Sequence, residues 1–438
     1  MTRSTTVRGL VLVFALSPAV AVGAEQLTYA EEDGSIKTVQ VESVTKITDK
    51  EWKGLIDVAG RRKSFTIPMR RVVTFRRGDT SEINQWSKLL AHGKRLLAAG
   101  QLATQGVVPG AEETFSKIAY STEKGTKGQE DTERIETWHN MYATLYLIET
   151  RLEMGRKGDG AKLGSALATI QEFRTRTQGK PPKEVQVQVV DPKGVQRAQN
   201  VWCWGETHLT PDVDLLEARV LAAQGQMDAA KGVLDRLIDE AKKGVFSPHL
   251  LTDAVILKSD VEAAGMASEG QETVFRAAGV NLSSLSRNQP DLFGKKVLGR
   301  ASNMMLLRGA DLLLASAEQQ KSTYDLPLAR YTELRQTEGK SDPVLAIGAT
   351  AGIGICLTEK GQGEAGYRAL LEVVTQGYEH PEQMARALYY LGKAAPVFAK
   401  EIDAQGGDGG FLRAEAARWW ADLRERFPTS DWAARAKA

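Results

Sequence analysis

Seven basic residues, Arg61, Arg62, Lys63, Arg70, Arg71, Arg76 and Arg77, fall within seventeen positions with no acid between them. Such a cluster could dock an anionic partner: a polysaccharide, a lipid headgroup or an acidic protein. It could equally be a solvated strand rim whose charges discourage edge pairing, and short basic runs at turns favour that reading. A second constellation is aromatic. Trp202 and Trp204 alternate about Cys203, so on a strand they share a face. They could form a platform for a glycan or peptide, although two large rings more often pack a strand onto its neighbours. Cys203 and His208 form a lone Cys-x4-His, with no second pair at metal-ligand spacing, and the five histidines (His92, His139, His208, His249, His380) are scattered. No His-Glu-x-x-His, phosphate-binding loop or nucleophile elbow is present, and Gly406–Gly410 lacks the strand before it and the Lys-Ser/Thr after it. We therefore expect no catalytic set, no metal and no cofactor.

The elements that must carry these residues come in two kinds. Residues 26–78 alternate with period two. Leu27 and Tyr29, Ile36 to Val41, Leu55 to Val58, Ser64 to Ile67 and Val72 to Phe75 predict five short strands, with a hairpin turn at Asp33-Gly34. The Ile67-Pro68-x-x-Arg71-Val72-Val73 pattern resembles the last strands of SH3-like or Sm-like barrels, which implies a small barrel with its edges closed. A second β piece stands farther along the chain. Val185, Val187 and Val189 alternate, Asp191-Pro192-Lys193-Gly194 suits a turn, and Val195 to Trp204 returns, which predicts a hairpin inserted at 177–212.

From Ile83 onward the apolar spacing is otherwise helical. Gly93, Leu96 and Gly100-Gln101 match Ala218, Leu221 and Gly225-Gln226, and match again at Gly354, Leu357 and Gly361-Gln362. A small residue lets two helices approach, an aliphatic follows at three, and a turn Gly ends the helix at seven. Ala230, Leu234 and Leu237 follow the second turn at the offsets at which Gly366, Leu370 and Val373 follow the third. The equivalent Ala111, Phe115 and Ile118 are displaced by an insertion at 106–110. Near the C-terminus, Ala385, Leu388, Leu391 and Gly392, then Ala416, Trp420, Leu423 and Pro428, have the same spacing. The undisplaced turns lie 136 residues apart, four 34-residue periods. On these residues, 83–438 resembles the tetratricopeptide-repeat family, and Glu425 to Ala436 (ERFPTSDWAARA) resembles repeat junctions of its bacterial envelope members. The stretches 135–175 and 247–335 match poorly and are expected to hold irregular hairpins.

The expected fold is thus mainly α, an irregular tetratricopeptide-like α-α hairpin solenoid preceded by a small all-β barrel-like domain. The divisions would be 1–24, 25–80, 81–176, 177–212 and 213–438. Residues 1–24 read as a signal peptide. Arg3 and Arg8 precede the short apolar run Gly9 to Leu16, and Val22-Gly23-Ala24 suits cleavage before Glu25. No Cys stands at that point for lipid attachment, and no later run approaches the length of a membrane span. This implies a soluble protein of the periplasm or outside the cell. The chain has 57 Lys and Arg against 55 Asp and Glu, and loses two Arg and no acid with the signal. A balanced chain outside the cytoplasm argues against nucleic acid. Cys203 and Cys356 are far apart, and a bond between them would require the solenoid to curl closed.

The resemblance implies a non-catalytic scaffold that holds a protein or peptide on the solenoid face. An anionic polysaccharide bound by the β module and the tryptophan hairpin is the alternative, and an unrecognised cell-wall enzyme the third. Oligomeric state is not legible in these features.

Overall fold

A computed structural model of the chain describes residues 25–47, 51–58, 61–76, 85–120, 138–177, 183–190, 196–203, 209–242, 247–340, 342–377 and 380–436. The predicted signal segment 1–24 lies outside the described residues, as do Arg77, Trp204, His208 and the 191–195 turn. Of Arg61, Arg76, Trp202 and Cys203 the backbone alone is placed.

The five expected strands form: β1 (Glu25–Ala30), β2 (Ile36–Ile47), β3 (Glu51–Val58), β4 (Arg61–Pro68) and β5 (Val72–Arg76). All pair antiparallel in the order β4-β3-β2-β1-β5. Alternate residues point inward, so Leu27, Tyr29, Trp52, Ile56 and Ile67 are buried together, and the Tyr29 and Phe65 rings meet edge-on at 5.1 Å. Asp33-Gly34 makes the predicted turn. Gly34 takes φ +79°, and the Asp33 carboxylate accepts from the Ser35 N–H at 2.8 Å. A 3-10 turn at Met69–Arg71 leads from β4 to β5, and β5 returns to pair with β1. Among the described residues no ladder joins β4 to β5, so the sheet ends at those strands and lacks the hydrogen-bonded closure expected of a barrel.

Helices come next, as hairpins. They are α1 (Gln85–Ala98) with α2 (Ala111–Ala119), α3 (Trp138–Arg156) with α4 (Gly160–Thr177), and α5 (Thr210–Ala223) with α6 (Met227–Ala241). Then come α7 (Pro248–Ala263) with α8 (Ser268–Arg287), α9 (Leu292–Gln320) with α10 (Asp325–Gln336), and α11 (Pro343–Glu359) with α12 (Gly363–Gln376). The last are α13 (Pro381–Ala404) with α14 (Gly410–Arg426), then the short α15 (Asp431–Arg435). Between α4 and α5 stands the predicted hairpin, β6 (Lys183–Val190) paired antiparallel with β7 (Gln196–Cys203).

The three matched turns close in the same way. The N–H groups of Gln101, Gln226 and Gln362 donate to the carbonyls of Leu96, Leu221 and Leu357, each at 2.9 Å. The preceding Gly100, Gly225 and Gly361 take φ of +70° to +78°, the left-handed conformation that such a helix end requires. The small positions also have their expected use. A Cβ on Gly93 would lie 2.6 Å from the Phe115 ring, and one on Gly354 2.7 Å from Leu370. Ala218, Ala230 and Leu234 are fully buried, and Leu357 is half-buried. Gly392 lies against the Trp420 ring, and Ser430, after Pro428, caps α15 by accepting from Ala433 N–H at 3.1 Å. The poorly matching stretches are hairpins too, but uneven ones, with α9 running to 29 residues.

Each odd-numbered helix from α1 to α13 touches the next odd-numbered one, with α13 touching α15. Consecutive even-numbered helices have no comparable contact among the described residues. Two layers with unequal spacing must bend toward the closer-packed one, so the odd helices form the inner wall. The wall's curve has a consequence for the β module. Arg70 Nε reaches the Asp291 carboxylate at the head of α9 at 3.3 Å, and Gly34 lies beside Leu292 and Lys296. Residues far apart in sequence thus meet, and the arc from α1 to α9 is closed by the β module without a disulfide. Cys356 is a free, buried thiol. The β module shares one continuous hydrophobic core with α1 to α5, so no core boundary falls near residue 80. Among the described residues no helix is long and apolar enough to cross a membrane.

Candidate functional site

A cleft of about 710 Å³ opens on the inner wall in its C-terminal half. Four successive odd helices build it. The end of α9 supplies Glu318, the turn after it Lys321 to Tyr324, and the start of α10 Asp325. The end of α11 supplies Glu359 and Lys360, the middle of α13 supplies Tyr389, Tyr390 and Lys393, and α15 supplies Arg435. The aromatic side is pre-formed. Tyr389 and Tyr390 meet edge-on at 5.1 Å, and the Trp432 ring lies 5.5 and 5.7 Å from them. The Arg435 guanidinium lies over the Trp432 ring, 4.6 Å from its centroid.

The charges of this cleft pair unevenly. Tyr390 donates its hydroxyl to Glu318, Lys393 pairs with Glu359, and Lys360 pairs with Asp325. All three acids are thereby engaged. Lys321 and Arg435 are exposed and have no carboxylate partner among the described residues. Burial, aided by Glu359 and Glu318, pushes the Tyr324 phenol up to about 12, so it stays protonated and able to donate. Beneath the cleft, the buried Tyr331 donates to the Asp311 carboxylate at 2.6 Å, and Arg386 Nη1 donates to the same oxygen at 2.8 Å. This ties α9, α10 and α13 into a fixed floor.

Lys321 is the anomaly of the site. The N–H five residues beyond a helical carbonyl closes six helix ends in the same manner. At five of them the left-handed residue is Gly100, Gly158, Gly225, Gly361 or Gly406. At the sixth, where Ser322 N–H donates to Ala317 O at 3.2 Å, it is Lys321 at φ 49°. This is the sole non-glycine with positive φ among the described residues, a conformation that costs an L residue about 1 kcal/mol.

The N-terminal half of the wall carries a different set. Glu149 on α3, Asp212 and Arg219 on α5, and His249 and Asp253 on α7 interact across successive odd helices. Asp212, Asp253 and His249 are exposed, yet they sit inside the curve of the wall, where protein replaces much of the surrounding water. Loss of water, with the neighbouring Asp253 charge, pushes the Asp212 carboxyl up to about 6. Loss of water also raises Glu149 and Asp253 and lowers His249, whose ring meets Phe293 at 5.6 Å.

Few of the residues singled out from sequence belong to either set. Arg70 is committed to Asp291, and Arg71 donates to Ala30 O at 2.7 Å and pairs with Glu32 at 3.5 Å. Those two basic residues therefore serve the β module's own structure and its attachment to α9. Arg62 and Lys63 are exposed on β4. The Arg61 and Arg76 positions lie on β4 and β5, and Trp202 lies on β7, which runs beside α3. Sequence reasoning missed Lys321, Tyr389, Tyr390 and Arg435. One signal was available: the α9–α10 turn, Gln320-Lys321-Ser322, lacks the glycine that the other turns carry.

No family model matches the chain, and no curated protein matches it. Among solved structures it is similar to a crystal structure of the apo form of RapI. The two are 13% identical, the match covers 81% of this chain and 80% of that one, and the TM-score is 0.42. A likeness that distant says nothing about what this chain binds.

Proposed function

We propose that the chain is a non-catalytic scaffold that holds a peptide or an extended protein segment along the inner wall of its helical solenoid. The observation that carries this is the cleft shared by α9, α11, α13 and α15. An extended ligand lying across parallel helices meets a new set of side chains at each one, and this cleft offers it an aromatic flank and a row of charges. Binding suits the groups present better than catalysis does. The Cys356 thiol is buried and pushed up to about 12, and each carboxylate of the cleft is engaged by a neighbour. We further propose that it acts outside the cytoplasm, in the periplasm, on the strength of the basic and apolar segment at residues 1–16 and the small residues before Glu25.

The test is direct. Immobilised protein is exposed to peptides from a digest of cell-envelope proteins, and the retained peptides are identified. Tyr389→Ala should lower retention about fivefold to tenfold without unfolding the chain. Retention that is indifferent to Tyr389, and instead lost with Lys63→Glu on β4, would move the function to the basic strand.

A further inference from the structure

We infer that this cleft recognises a carboxylate, with Lys321 and Arg435 as the residues that bind it. The inference rests on the peptide-binding reading and names the chemistry its ligand must carry. Three observations converge. First, the acids of the cleft are already occupied by Tyr390, Lys393 and Lys360, so the charged groups left to meet a ligand are the cations Lys321 and Arg435, with the neutral hydroxyls of Ser322, Thr323, Tyr324 and Tyr389 beside them. Secondly, Lys321 keeps a side chain at a backbone position that five equivalent turns give to glycine. Helix ends do not need a lysine there, since those turns close with the same hydrogen bond without one. A strained residue at the mouth of a cleft is accounted for if its ammonium meets a ligand. Thirdly, the Arg435 guanidinium lies over the Trp432 ring at 4.6 Å, and that ring is itself packed on Tyr389 and Tyr390. A contact through the ring face restrains the guanidinium and uses none of its N–H donors, which stay available to a carboxylate. Tyr389, backed by Trp432, then lies where an apolar or aromatic side chain adjoining that carboxylate would pack.

The carboxylate could be the C-terminus of a peptide or an Asp or Glu side chain, and the experiment separates them. Three synthetic peptide pools of the same randomised apolar and aromatic composition are offered to immobilised full-length protein. One has free C-termini, one is amidated, and one is amidated with a single internal Glu. Retention is read by mass spectrometry. The free-acid pool, the Glu pool or both should be retained about tenfold over the amidated neutral pool. Whichever is favoured identifies the source of the carboxylate. Lys321→Gly should abolish that preference, and because glycine suits the left-handed turn, its melting temperature should equal or exceed the parent's. Arg435→Gln should reduce the preference in part.

Equal retention of all three pools, unchanged in Lys321→Gly, would overturn the carboxylate inference and leave the scaffold reading standing. No retention of any pool would overturn both. A Lys321→Gly protein that keeps the full preference would exclude Lys321 as the binding residue.

Discussion

Gly363 begins α12 with no room for a side chain: a Cβ there would stand 2.3 Å from the Phe398 backbone nitrogen on α13. A backbone atom inside a packed helix cannot swing aside, so Gly363→Ala should destabilise the C-terminal hairpins by about 2–3 kcal/mol, read by urea unfolding. Gly225→Ala fails differently, because space is open there and the strain is in φ; about 1 kcal/mol is expected. Asp212 gives a prediction in pH. Its carboxyl is pushed from 3.8 up to about 6, so in that window the folded chain holds more protons than the unfolded one, and this residue's contribution to stability falls as pH rises. His249 acts with the opposite sign, being held below 6.5 and losing stability as pH falls. Asp212→Asn should therefore raise the melting temperature at pH 7.5, with the gain shrinking as pH falls through 6 and lost below the unfolded value of 3.8, by calorimetry.

At the scale of elements, the small α15 matters beyond its length, since it brings Arg435 to the cleft and sets Trp432 behind Tyr389 and Tyr390. Two bonds secure it: the Ser430 cap, and Arg424 Nη1 donating to Ala436 O at 3.2 Å. Ser430→Ala should weaken the helix by about 1 kcal/mol. Faster amide exchange over residues 431–436, with α13 and α14 unaffected, would show it. Long α9 works across the molecule. Its head, capped by Asp291 accepting from Gly294 N–H at 2.8 Å, meets the β module, and its tail ends in the Lys321 turn. A rigid rod of 29 residues thus joins the closing contact of the arc to the mouth of the cleft.

For the molecule as a whole, the attachment of the β module to α9 is the least expected feature. Arg70→Glu would set like charges at 3.3 Å while leaving the Asp291 cap intact. The pair is partly exposed, so overall stability should change by no more than about 1 kcal/mol. The shape should respond more. Small-angle scattering should give a larger radius of gyration than the parent's if this contact holds the arc closed, and an unchanged radius would show that the shared core with α1 to α5 holds the module by itself.

Much of the fold was legible because it depends on near neighbours in sequence. Strand alternation around Leu27 and Tyr29, the Asp33-Gly34 turn, the β6–β7 pairing and the Gly-Gln ends at 100, 225 and 361 are local patterns, written within one or two turns of chain. The same period placed Gly93, Gly354 and Gly392 at helix contacts. The candidate site was not legible in this way. Its residues come from positions 318 to 435, on helices that touch only after the wall has curved, and no spacing rule links Lys321 to Arg435. Charge pairing was equally hidden. Arg70 and Arg71 read as part of a free basic face because their partners, Asp291, Ala30 and Glu32, become neighbours only when the sheet forms and the arc closes. Period and turn chemistry in the sequence determined which elements exist and which faces they bury. Only the tertiary structure decided which charges remain unpaired, because pairing depends on distance in space and curvature sets those distances.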